Sequence, residues 1–114
     1  MRPGTVYGLE RDGELLGRLT VTDTEMFAVH CDFVPTPAFA PYRALFEEDN
    51  ALAERVADDP DPALLEQSEA VLDRILALNL VLRREGGGVY REALISIEGD
   101  RAGFRPLNPE EEPL

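Results

Sequence analysis

Lysine is missing altogether: the eleven basic residues of the 114 are all arginine, set against 23 Asp and Glu, for a formal net charge of −12 at pH 7. Nucleic acid is therefore not an expected partner, because neutralising phosphates takes a basic stripe and the summed field here repels a polyanion. An anionic membrane surface is disfavoured for the same reason. Cys31 is the one cysteine, so an internal disulfide and a zinc-binding thiolate cluster are both excluded. A reducing compartment suits such a chain. His30 is the one histidine, and no metal or cofactor is expected. No apolar run approaches the roughly 20 residues of a membrane span, and residues 1–10 lack the apolar segment of a secretion signal. The expectation is a soluble cytoplasmic protein. Arginine in place of every lysine, alongside much Ala, Leu, Gly and Pro, reads as the codon bias of a high-GC genome and carries no mechanistic weight.

What the chain does have is a core and a surface to solvate it, with 44% apolar and 30% charged residues. That balance argues against disorder, and the length suits one domain. Residues 1–107 are expected to form it, with 108–114 as a flexible acidic tail. The first block alternates with period two. Residues 6–10 predict a strand, 11–13 a turn built on Asp12-Gly13, and 14–22 a second strand with Leu15, Gly17, Leu19 and Val21 on one face. A third strand over 25–34 puts Phe27, Val29, Cys31 and Phe33 on one side and His30 and Asp32 on the other. Pro35 and Pro37 end the sheet block.

The period then becomes helical. Tyr42, Leu45, Phe46, Asp49, Leu52 and Val56 fall on one face of a first helix running to about residue 57. A second helix follows the acidic connector 58–62, with Asp61 as its cap and Pro62 at its first position. Residues 76–84 fit a helix end or a strand; a switch near Asn79 is favoured, since residues 86–88 then turn into a strand over 89–98. Gly99-Asp100 leads to a last strand over 101–106. Three strands, two helices and three strands predict an α+β domain: an antiparallel sheet of about six strands with two central helices packed on one face.

His30-Cys31-Asp32-Phe33-Val34-Pro35-Thr36-Pro37-Ala38-Phe39, an acidic helical centre, and Ile95-Ser96-Ile97-Glu98-Gly99-Asp100-Arg101-Ala102-Gly103-Phe104 together resemble small uncharacterised acidic proteins of high-GC bacteria. The resemblance spans most of the chain and implies no activity.

Several constellations are candidates for chemistry, each with a plainer alternative. His30 and Asp32 lie two apart on one strand, roughly 7 Å apart at Cα, where a carboxylate can orient an imidazole; the plainer reading is a solvated pair. Asp49 interrupts an apolar stripe and needs a partner, which Arg18 or Arg91 would supply as a structural ion pair; otherwise it is a perturbed carboxylate in a pocket. Cys31 reads as a core thiol, since His30 points away from it. The glycines at 86–88 read as a hairpin turn rather than a phosphate loop, which would need a helix to follow. The connector 58–61 lacks the glycine and distal glutamate of a calcium loop. Between residues 47 and 61 lie seven carboxylates, Glu47, Glu48, Asp49, Glu54, Asp58, Asp59 and Asp61, with only Arg55 to offset them. Such a face either solvates a helix or docks a basic partner.

Three functions fit. The leading one is a non-catalytic acidic binding module, an inhibitor-, immunity- or antitoxin-like partner of a basic protein, docking through Glu47, Glu48, Glu54, Asp58, Asp59 and Asp61. The second is a small-molecule binder or enzyme with a pocket between sheet and helices that uses His30, Asp32 or Asp49. The third is a structural homodimer joined through an open sheet face.

Overall fold

A computed structural model describes residues 2–26, 28–91 and 93–106. The expected acidic tail lies outside the described residues, as does the expected inward-facing Phe27. The elements are β1 (Val6–Arg11), β2 (Glu14–Glu25), β3 (Ala28–Pro35), a 3₁₀ helix (Pro37–Tyr42), α1 (Arg43–Asp58), α2 (Pro62–Leu76), β4 (Val81–Arg84), β5 (Val89–Tyr90), β6 (Ala93–Glu98) and β7 (Arg101–Pro106). The fold is α+β, with two helices and one antiparallel sheet of seven strands in the order β5-β4-β1-β2-β3-β7-β6.

Seven strands rather than six arise because residues 89–98 do not form one strand. β5 pairs with β4 and β6 pairs with β7, at opposite edges of the sheet. In a flat sheet, six spacings of about 4.8 Å would put about 29 Å between those edges. Two intervening residues span far less, at about 3.5 Å each. The sheet must therefore roll up, and its rings show that it does. Tyr7 of β1 lies 5.2 Å from Phe104 of β7, and Tyr90 of β5 lies 5.9 Å from the same ring.

Two bulges in β2 supply the extra coiling that rolling requires. The register slips between Leu9 and Glu10, so that Leu16 is the additional residue. Thr36 fixes this bulge, donating its hydroxyl to the Leu15 carbonyl at 2.7 Å and its N–H to the Leu16 carbonyl at 2.9 Å. Leu16 is consequently buried and Leu15, expected inside, is half-buried on the outer face opposite Glu10. The second slip makes Thr22 the extra residue, and its hydroxyl donates to the His30 carbonyl. β2 also continues to Glu25, so the turn falls at Met26 (φ 53°) rather than at residues 23–24.

The concave face carries the core: Leu82, Tyr7, Leu9, Leu19, Val21, Cys31, Phe33, Ala102, Phe104, Ile95 and Ile97 follow one another across the strands. The helices add Phe46, Leu52, Val71 and Ile75 to that cluster. Phe39 of the 3₁₀ helix joins the two halves, with Phe33 at 5.0 Å on one side and Phe46 at 5.8 Å on the other. α2 starts as its sequence dictates: Asp61 accepts the Ala63 N–H at 2.8 Å, and Pro62 occupies the first turn. It stops before Asn79, whose φ of 54° breaks the helical path and sends the chain into β4.

Candidate functional site

The outer face of β3, β7 and β6 is built in rows set by register. The two-residue turn at Gly99-Asp100 pairs Glu98 with Arg101, and this places Ser96 opposite Gly103 and Leu94 opposite Arg105. Across the other side of β7, Asp32 pairs with Arg101 and His30 with Gly103. One row is therefore Asp32, Arg101 and Glu98; the next is His30, Gly103 and Ser96. Gly103 contributes no side chain, and a Cβ there would sit 3.4 Å from Ser96 Oγ. The missing side chain opens a trough between His30 and Ser96.

That trough widens into a groove of about 440 Å³, walled on the far side of β6 by Asp49 and Asn50 of α1 and Leu72 of α2. A second cavity of about 280 Å³, lined by Ile75 and Leu76 of α2 and by Arg91 and Ala93, continues along the same strand. Ile95 lines both. Asn50 anchors the helical wall, its Nδ2 donating to the Ile97 carbonyl at 2.6 Å.

The groove brings together two of the three expected pocket residues, His30 and Asp49; Asp32 adjoins it through Arg101, at 3.5 Å. The His30–Asp32 pair itself does not form. The carboxylate within ion-pair distance of His30 is instead Glu25, at 3.9 Å, a diagonal neighbour on β2 whose longer side chain reaches the imidazole. Asp49 is half-buried, and burial holds its carboxyl above the usual range. The expected ion pair is absent: among the described residues no arginine bridges to Asp49, and Arg18 and Arg91 are exposed. Cys31 faces the core, its thiol pushed up to about 12 by burial and secondarily by the Asp32 charge, so it stays protonated and unreactive.

The acidic segment divides. Asp61 is consumed as a helix cap and Glu48 lies 3.5 Å from Arg74 of α2. Glu47, Glu54 and Asp58 share one exposed face of α1, within about 40° of each other at about 100° per residue. Asp59 extends it. Among the described residues these four make no ion pair.

Residues 86–88 turn β4 into β5, so no helix N-terminus follows them. Among the described residues no three of His, Cys, Asp and Glu converge as a metal cage, and no helix is long and apolar enough to cross a membrane. Asn50, Ser96, Arg101, Gly103 and Arg105 belong to the groove and were not singled out from the sequence. The signal for three of them was present: counting outward from the two-residue turn at 99–100 places Ser96, Gly103 and Arg101 in register. Compared with protein families, with characterised proteins and with solved structures, the chain matches none.

Proposed function

We propose that this protein is a non-catalytic binding module for a basic protein partner, docking through the outer face of α1. The observation that carries this reading is the stripe of Glu47, Glu54 and Asp58 with Asp59 beyond it: exposed carboxylates that neither cap a helix nor pair with an arginine among the described residues. Carboxylates that serve the fold are spent on it, as Asp61 is. These four act only outward, and in a chain of net charge −12 their field attracts a cationic surface from beyond contact distance. Charge complementarity of this kind sets association rate and partner choice more than final affinity.

The test is capture of the partner from the protein's own cells at low salt, followed by kinetics with the purified pair. Reversing Glu47, Glu54 and Asp58 to lysine should slow association by about 10- to 100-fold at low ionic strength, the difference closing near 1 M salt as screening shortens to about 3 Å. Association that is indifferent to both the reversal and salt would sink the reading.

A second reading has its own observation. His30 and Asp49 line one groove between sheet and helices, beside Ser96 and Asn50, which is the arrangement a small polar ligand would use. Substituting His30 and Asp49 by alanine would then abolish thermal stabilisation by that ligand while leaving the α1-dependent association rate intact.

A further inference from the structure

β6 is an edge strand, and register fixes which of its backbone groups are free. Pro106 has no N–H, so its pair with Ala93 cannot be a doubly hydrogen-bonded one. Alternation then makes Leu94, Ser96 and Glu98 the residues bonded to β7, and turns the N–H and C=O groups of Ala93, Ile95 and Ile97 away from the sheet. The Asn50 contact confirms this phase independently, since the carbonyl it caps belongs to Ile97. The helical wall thus meets the edge at Ile97 and stands back from it at Ile95, where the two cavities of about 440 and 280 Å³ adjoin. An exposed edge ordinarily carries a lysine, a proline or a bulge as protection. Among the described residues β6 carries none of these; its cover is α1, which packs against it and caps the Ile97 carbonyl through Asn50.

From this geometry we infer that the trench between β6 and the helices accepts an extended segment of a basic partner, which adds as an eighth strand through the Ile95 N–H and C=O and places a lysine or arginine against Asp49. The inference deepens the reading of the protein as a basic-partner module and rests on it. An extended backbone is demanded by the edge, because only a strand presents donors and acceptors at the matching spacing. The cation is demanded by Asp49, a half-buried carboxylate in the trench wall without an arginine partner among the described residues. Arg101, Arg105 and Arg91 also line the trench, but Arg101 lies 3.5 Å from Asp32 and the other two are engaged in interactions of their own, which leaves Asp49 without any of them. Leu72, Ile75 and Leu76 offer apolar surface to the alternate side chains of the incoming strand.

The probe is an eight-residue peptide alternating valine with lysine, compared with its valine-glutamate counterpart and with a lysine peptide N-methylated at alternate residues. The lysine peptide should bind at least about tenfold more tightly than either, and Asp49→Asn should weaken it by about tenfold. Burial already penalises the Asp49 charge, so this variant keeps the fold. The decisive readout is amide hydrogen exchange: the Ile95 amide slows on binding, whereas Leu94 and Ser96, already bonded to β7, do not change. Equal binding of the N-methylated peptide, or an Ile95 amide unaffected by the lysine peptide, would overturn the proposal. So would protection of Ile95 that rises with protein concentration alone, which would give the edge to a second copy of this chain. Lysine reversals at Glu47, Glu54 and Asp58 keep the two readings apart, because they slow association with the whole partner yet leave Ile95 protection by saturating peptide unchanged.

Discussion

Gly17 shows how little room the inner face has. A Cβ at this position would lie 2.5 Å from Phe33 Cε1 and 2.8 Å from Cζ, so the ring would have to move. It has nowhere to go, for Phe39 holds its other side at 5.0 Å. Gly17→Ala should therefore cost about 1–3 kcal/mol, read as a lower urea midpoint at unchanged slope. Phe33→Leu in the same chain should recover part of that loss, so that the pair costs less than the sum of the two single changes. The same crowding explains why Cys31 is a packing residue: its thiol, raised to about 12, offers no thiolate at neutral pH. Single residues also decide the outer face. The smallness of Gly103 opens a trough, and Thr36, by holding the Leu16 bulge, exchanges Leu15 for Leu16 in the core.

Helix α2 is the element whose start is most fully specified by local chemistry. Asp61 accepts the Ala63 N–H at 2.8 Å and Pro62 follows it. Asp61→Ala should cost about 1 kcal/mol and Asp61→Asn much less, measured by chemical denaturation, because the asparagine carbonyl can still accept the bond. Elements of this kind were legible in the sequence: the Asp12-Gly13 turn, the cap at Asp61, the break at Asn79 and both helices stand where composition and periodicity put them. What could not be read was anything set by tertiary hydrogen bonds. The Leu16 bulge depends on Thr36, a residue twenty positions away, and the strand pattern alone kept Leu15 inside. The break between β5 and β6 depends on which distant strand each half meets, so residues 89–98 looked continuous. The candidate site was half legible for the same reason. His30 and Asp49 were recognisable as polar residues in notable places, but their shared groove exists only because the sheet rolls β6 against α1.

At the scale of the whole molecule, the dominant fact is a charge of −12 on a chain with few compensating contacts. The ion pairs among the described residues, such as Arg74–Glu48 and Arg83–Glu10, lie on the surface at 3.5 and 3.1 Å, where each contributes at most about 1 kcal/mol. Like-charge repulsion opposes compaction over the whole surface. Adding sodium chloride to about 0.5 M, which shortens the screening length well below 10 Å, should therefore raise the melting temperature by a few degrees. A fall with salt would mean that the surface pairs outweigh the repulsion. The strand order carries a further consequence, for synthesis. β1, β2 and β3 form the middle of the sheet, and both of its flanks come from the end of the chain, β4 joining β1 and β7 joining β3. As the polypeptide leaves the ribosome, its first hairpins emerge with both outer backbones bare. They stay so until the two helices and the last four strands have followed, which makes the nascent chain, rather than the finished protein, the form most in need of a chaperone.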